Sequence, residues 1–469
     1  MALQSDGRTR SEHDSFGAIE VPAAAYWGAQ TQRSLAHFDF PAQERMPLAI
    51  VHALAAIKLA AARINRAHGL PADLADAIET AAQEVMRGDL DDHFPLTVWQ
   101  TGSGTHTNMN VNEVIASRAN EILTGVRGGS TPVHPNDHVN RAQSSNDSFP
   151  SAIHIAVQSM LARDLLPAID ILLANLIDHQ SAWKDVVKIG RTHLQDAVPL
   201  TLGQEFSAHA AQIDRARRAL VNVMDDLLEL AQGGTAVGTG LNAPPGFASA
   251  VVAEIAAITQ LPFRPAVNSF EAIASRDALV GLQGALAQLA TSLTKLAGDI
   301  RLMASGPRAG LGELVLPANE PGSSIMPGKV NPSQCEMLIM VSMQVIAGGH
   351  AVTLGALQGQ FELNPAMPLI GVNVLRSVTL LSHAIAGFTQ HALAGLRADE
   401  ARIAQLVERS LMLVTALAPH IGYDKAARIA HDAHARGLTL REAALESGIV
   451  DTEVFDRLVR PRDMVNPQS

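Results

Sequence analysis

Gly281–Met303 reads GLQGALAQLATSLTKLAGDIRLM, with apolar residues at Leu282, Leu286, Leu289, Leu293, Leu296, Ile300 and Met303. Spacings of four and three alternate without a break, the seam of a long helix packed lengthwise on others. Similar runs predict further helices. One carries Ile153, Val157, Met160 and Leu161 and is expected to start just after Pro150, since proline suits a first turn. Another carries Ile213, Leu220, Val223, Met224 and Leu227, with Gly233–Gly234 as its expected C-cap. A fourth runs from Glu336 to about Ile346, and a fifth follows Pro368 with Leu369, Val372, Leu375 and Leu380. Apolar seams of this length need partners, and a helical bundle in the middle of the chain is the economical arrangement. The seams are also too many and too apolar for one monomer's surface, so packing between copies of the chain is expected.

Composition agrees with a mainly α protein. Of 469 residues, 47% are hydrophobic and only 4% aromatic, so the core is built from aliphatic side chains that suit helices. The length suggests roughly three domains. We expect them at 1–143, 144–397 and 398–469: an N-terminal helical part, the bundle, and a small helical tail. A net charge of −11 argues against nucleic acid, which calls for a basic footprint. The single cysteine, Cys335, excludes an intramolecular disulfide and, opening an apolar run, is expected to be a buried inert thiol. The first 22 residues are polar and lack the apolar core of a secretory signal. Every long apolar stretch has polar interruptions, so no membrane span is expected. The protein is expected to be cytoplasmic.

Between the seams lie polar stretches rich in Gly, Pro and Asn, the places where chemistry is mounted on a rigid frame. Pro321–Pro332, PGSSIMPGKVNP, sets two hydroxyls, a lysine and an amide on a loop. It is not a phosphate loop: five residues separate Gly322 from Gly328, and Val330 stands where a hydroxyl is needed. GTGLNA at Gly238–Ala243 lacks the third glycine of a dinucleotide fingerprint. His134, Asp137 and His138, like His431 and His434, could pair on a metal, but neither set has a partner motif of diagnostic spacing. What remains is a density of small donors: Ser103, Thr105, Asn108, Ser144, Ser145, Asn146, Thr192 and His193. With one lysine, they suit a small dicarboxylate held by an otherwise acidic protein.

GSSIMPGKVNP closely resembles the signature of the fumarase/aspartase superfamily, and the glycine after Met-Pro resembles class II fumarases. YWGAQTQRS, TGSGTHTNMNVNEV, HPNDHVN, SSNDSFP, IGRTHLQDAVPLTLGQEF, GGTAVGTGLN, SGPRAGLGE, NPSQCE, FELN and RSLMLVTALAPHIGYDKAA follow the same family in order, over nearly the whole chain. Aspartate ammonia-lyases usually carry Ala in place of Gly328 and Gln in place of His193, so the resemblance favours a fumarase.

The resemblance implies a three-domain fumarase/aspartase-like fold around a central bundle of long helices. It implies a homotetramer with each site built from three chains, and reversible hydration of fumarate to L-malate with no metal and no cofactor. Ser323 matches the family's base, His193 the residue that handles the proton of the departing hydroxyl, and Glu336 its acidic partner. Lys329, Val330 and Asn331, with Ser324, match the clamp on one carboxylate. Ser103, Gly104, Thr105, Thr192, Ser144, Ser145 and Asn146 match the rest of the substrate site. His134, Pro135, Asn136 and Asp137 match a secondary anion site, but Thr131 and Pro132 stand where familiar bacterial members have basic residues, which argues against strong anion binding there. GQFELNPAM at Gly359–Met367 also departs from the usual pattern. That leaves two alternatives, a substituted-dicarboxylate (mesaconate) hydratase and an aspartate ammonia-lyase.

Overall fold

The chain is mainly helical, and a computed structural model describes residues 7–466 of it. An antiparallel pair, β1 (Thr9–Asp14) and β2 (Gly17–Pro22), comes first. Helices α1 (Ala29–His37), α2 (Leu48–Arg66), α3 (Ala72–Arg87), α4 (Thr105–Thr124), α5 (Ser145–Met160) and α6 (Leu166–Ala182) follow. A hairpin of β3 (Val187–Thr192) and β4 (Gln195–Thr201) then leads into α7 (Leu202–Met224). After a short parallel pair, β5 (Glu229–Leu230) and β6 (Arg264–Pro265), come α8 (Phe247–Thr259), which lies between those strands in the chain, and α9 (Ser269–Ala274). The long helices α10 (Asp277–Met303), α11 (Ser333–Ala356) and α12 (Met367–Phe388) complete the frame. Strands β7 (Leu314–Val315) and β8 (Arg397–Ala398) pair ahead of the short helices of the tail.

Two units divide these elements: Met1–Pro167 with Arg218–Gln288 and Met343–Leu381, and Ala168–Arg217 with Leu289–Ser342 and Ser382–Ser469. In the first, α2 is the central post and packs on α3, α4, α5 and α8. Its alanines at 55, 56, 60, 61 and 62 are buried and let neighbours approach, while Leu54 and Ile57 fill the gaps. Each such large side chain contributes about 1.5–3 kcal/mol by leaving water. In the second unit, His179 stacks on Trp183, and the Phe206 ring meets both edge-on. The tail gathers a core from Leu413, Leu417, Ile429, Ala433, Leu440, Ala444 and Phe455, which Ile189 of β3 joins.

The seam of α10 is buried from Leu282 to Met303, as its spacing predicts. Two helix limits differ from expectation. Helix α5 begins at Ser145, ahead of Pro150, because Ser144 and Asp147 form a capping box that fixes the start earlier. Helix α7 ends at Met224 rather than at Gly233, since a 3-10 turn over Asp226–Leu228 takes over and buries Leu227. Cys335 is buried, and burial pushes its thiol up to about 12, which disfavours the reactive thiolate.

By length and composition, Leu48–Arg66, Ser333–Ala356 and Met367–Leu393 are apolar enough to cross a membrane. Burial inside the protein accounts for the first and third, 72% and 56% buried. Only 28% of the second is buried, and it exposes Met340, Met343, Ile346 and Leu354 along one side.

Candidate active site

The loop Pro321–Pro332 lies in the second unit and is a folded turn. Gly322 N–H donates to the Lys329 carbonyl at 2.8 Å, and Asn331 Nδ2 donates to the Gly322 carbonyl at 2.5 Å, closing the two ends on each other. Inside it, Ser323 Oγ accepts the backbone N–H of Ile325 at 3.2 Å and of Met326 at 3.0 Å. Two aligned donors on one hydroxyl oxygen favour negative charge on that oxygen. Gly328 turns the chain at φ +81°, and Ser324, Lys329 and Val330 are exposed. Helix α11 starts directly afterwards, with Glu336 exposed in its first turn.

The same unit presents Thr192 and His193 at the tip of the β3–β4 hairpin. Thr192 pairs with Gln195, so His193 and Leu194 alone make the turn, at φ +57° and +60°. Two non-glycine residues in left-handed backbone cost energy, and such strain collects at functional sites. Strand β3 of the hairpin is anchored by charge. Arg191 Nη1 lies 2.9 Å from both oxygens of the buried Glu313, while Lys188, also buried, pairs with Glu205 at 2.9 Å and Glu313 at 3.4 Å. His193 and Glu336 are both exposed, and among the described residues no hydrogen bond joins them.

The first unit carries the other candidates. Gly104 starts α4 in left-handed backbone, φ +72°, against the Phe149 ring. On either side of it, Ser103 Oγ and Thr105 Oγ1 lie 2.8 Å apart. GQFELNPAM packs beneath this loop: Met367 N–H donates to the Gly102 carbonyl at 3.0 Å. Ser144, Ser145 and Asn146 open α5, and the fully buried Asp147 ties them down. Its Oδ1 accepts from Ser144 N–H at 3.0 Å, and its Oδ2 accepts from Gly233 N–H at 3.0 Å and Thr235 N–H at 2.9 Å. Burial raises the Asp147 carboxyl to about 6 against these hydrogen bonds. Asn146 Nδ2 donates to the Ala236 carbonyl at 2.9 Å, so SSND and GGTA form one edge.

The turn His134–Asp137 is held by its own histidines. His134 Nδ1 accepts from Asn136 and Asp137 N–H, both at 3.2 Å, and His138 Nδ1 accepts from His134 N–H at 2.8 Å. Beside the turn is a cavity of about 380 Å³ lined by Glu12, Asp14 and Glu113 as well as His134 and Asn136. Among the described residues, no group of three or more His, Cys, Asp or Glu side chains is placed to hold a metal ion.

A family model described as Lyase matches residues 17–347, and a second, described as Fumarase C C-terminus, matches residues 413–466. "Fumarate hydratase class II 2" of Bradyrhizobium diazoefficiens is 58% identical over 98% of this chain and 97% of its own length. "Fumarate hydratase class II 1" of Pseudomonas aeruginosa is also 58% identical, over 97% of this chain and 98% of its own length. A crystal structure of recombinant class II fumarase from Schistosoma mansoni matches with a TM-score of 0.95 and 44% identity, covering 98% of this chain and 100% of that one.

The chain belongs to the class II fumarate hydratases.

Within this family frame, one chain presents two groups of candidates. Ser323, Ser324, Lys329, Val330, Asn331, Glu336, Thr192 and His193 lie in the second unit; Ser103, Gly104, Thr105, Ser144, Ser145, Asn146 and the His134–Asp137 turn lie in the first. The sequence reading missed the supports: Asp147, Gly233, Thr235, Arg191 and Glu313. Only Asp147 left a trace there, as the acid at the third helical position of a capping pattern, S-x-x-D, that starts at Ser144.

Proposed function

We propose that the protein hydrates fumarate to L-malate reversibly, without metal or cofactor, in the citric acid cycle. In the malate direction Ser323 takes a proton from the carbon beside a carboxylate. The neighbouring hydroxyl then leaves, protonated by way of His193, whose charge Glu336 supports. Carbon acidity is the obstacle, so charge building on the carboxylate must be met by fixed donors, each worth a few kcal/mol. Lys329, Asn331, Ser324 and the backbone at Val330 are assigned to that carboxylate. Ser103, Gly104, Thr105, Thr192, Ser144, Ser145 and Asn146 are assigned to the rest of the substrate. The observation that carries this reading is the pair of N–H groups on Ser323 Oγ, which lower the cost of a serine alkoxide.

The same proposal includes a homotetramer with sites drawn from three chains. It gives the apolar side of α11 a partner, and it lets Glu336 of one chain serve the His193 of another. We place the domains at 1–143, 144–397 and 398–469, and the protein in the cytoplasm, free of membrane and nucleic acid. The carboxylates around the His134–Asp137 cavity oppose an anion, so the secondary site is assigned weak binding at most. A mesaconate hydratase is the second reading, because the altered GQFELNPAM lies directly under the Gly102–Ser103 loop.

The test is ultraviolet absorbance of fumarate formed from L-malate, with L-aspartate and a methyl-substituted malate in parallel and no metal added. Fumarate from malate alone supports the proposal. Product from aspartate alone, or only from the methylated substrate, replaces it with one of the two alternatives.

A further inference from the structure

Helix α2 carries Lys58 into the interior of the first unit, where its side chain is fully buried. Its ammonium donates to Asn140 Oδ1 and Gln143 Oε1, both at 2.9 Å. Both acceptors are neutral amides. An ammonium buried without a bonded carboxylate costs several kcal/mol, and a core helix gains nothing from it that Met or Leu would not supply. Burial accordingly lowers its pKa to about 7, opposed by the field of Asp147 in the first turn of α5, the one charged group acting on it among the described residues.

The amides lead to a candidate substrate contact. Asn140 Oδ1 also accepts from Asn112 Nδ2 at 3.2 Å and Asn108 Nδ2 at 3.3 Å, and Asn108 Nδ2 reaches Ser145 Oγ at 3.1 Å. Asn140 Nδ2 in turn donates to the Gln143 carbonyl at 3.2 Å, just ahead of Ser144. The ammonium therefore fixes the whole run from Asn140 to Ser145 from below. A dianion docked on Ser144–Asn146 would add negative charge to the field of Asp147 and favour the buried cation further.

We propose that Lys58 is a positioning residue for the substrate: it orders Asn140, Asn108 and Ser145, and a dicarboxylate on the edge above adds its charge to that of Asp147 in balancing the buried ammonium. The inference rests on reading Ser144–Asn146 as substrate contacts. Its consequence is linkage: binding the anion favours protonated Lys58, so binding takes up protons near neutral pH.

The experiment is calorimetric titration of the full-length protein with succinate, a four-carbon dicarboxylate that cannot be hydrated, at pH 7.5 in two buffers of different ionisation enthalpy. Malate and fumarate kinetics are run alongside for the wild type, Lys58→Met and Lys58→Gln. Wild type is expected to take up protons on binding. Lys58→Gln, which keeps a donor for the amides, is expected to lose that uptake and to bind succinate about tenfold more weakly, the scale of a charge acting through a partly polar interior. Its KM should rise by a similar factor with kcat changed far less, and Lys58→Met should go further in the same direction. Uptake that persists in Lys58→Gln, or a KM within twofold of wild type, overturns the proposal. Should Lys58→Met fail to fold, the wild type and Lys58→Gln still decide. A wild type that neither binds succinate nor hydrates fumarate would remove the dicarboxylate reading itself, a failure distinct from the loss of Lys58's role.

Discussion

Arg191 places one guanidinium nitrogen 2.9 Å from each carboxylate oxygen of Glu313, and the next residues are Thr192, which ends β3, and His193 of the turn. Glu313 also opens the segment that forms β7 and leads on to the Ser323 loop, so one buried carboxylate sits at the root of both candidate catalytic segments of the unit.

Replacing Glu313 by Ala should leave Arg191 without its partner and Lys188 with only Glu205. Removing one side of a buried pair costs roughly 3–5 kcal/mol. Urea denaturation should show a loss of unfolding free energy of that size, as a lower midpoint at unchanged m. Glu313→Gln keeps the shape and one acceptor, so it should lose activity, through a loosened His193 turn, more than it loses stability. Equal turnover in Glu313→Gln and wild type would separate the pair from the chemistry.

His93 gives a stability effect with a definite sign. Its Nδ1 accepts the Tyr26 N–H at 3.1 Å, so the ring is needed neutral, and burial, then Arg127, lowers its pKa to about 4. Unfolded, the ring protonates at about 6.5. Between those values the unfolded chain binds the extra proton and the native one does not. Stability from this ring is therefore complete above pH 6.5 and lost as pH falls toward 4, by roughly 3 kcal/mol. From urea melts across pH 4–7, the stability lost between pH 7 and pH 4 should be greater in wild type than in His93→Asn by about that amount. Parallel curves would mean that the ring titrates normally.

Gly104 and Gly328 both adopt left-handed backbone but sit in different surroundings. A Cβ on Gly104 would enter the ring of Phe149, which is fully buried, whereas a Cβ on Gly328 meets open space. Gly328→Ala should cost only the backbone term, about 1–2 kcal/mol. Gly104→Ala adds overpacking of about 1–3 kcal/mol and displaces Ser103 and Thr105. Thermal denaturation should rank Gly104→Ala well below Gly328→Ala. The reverse order would mean that Phe149 moves aside without cost.

What could be read ahead of the structure followed from periodicity and punctuation. Leu282 to Met303 announce a buried seam because a helix repeats every three to four residues, and Gly322, Pro327 and Gly328 announce a loop because they break any helix. The β3–β4 hairpin left no such signal: its turn is His193–Leu194, where a two-residue turn usually shows Asn-Gly. Asp147 and Glu313 were illegible as supports, since an acid in a first helical turn or before a strand is common, and only the fold brings Gly233, Thr235 and Arg191 to them. Pro150 misplaced the start of α5 because proline is read as a beginning, while the Ser144–Asp147 box had already set one.

Ser323 carries the most direct prediction. Its Oγ accepts two backbone N–H groups, and these donors remain when the side chain is removed. Ser323→Ala should therefore leave the turn closed through Gly322, Lys329 and Asn331, with succinate affinity close to wild type and the melting temperature nearly unchanged. Turnover of malate should fall by about 10²–10⁴, the range of a positioned base lost from a proton transfer. Ser323→Cys keeps an acidic hydrogen at the same place and should recover part of the rate, with a pH profile moved toward the thiol's lower pKa. A Ser323→Ala enzyme with wild-type turnover would transfer the base role elsewhere and leave the two N–H groups to a structural turn.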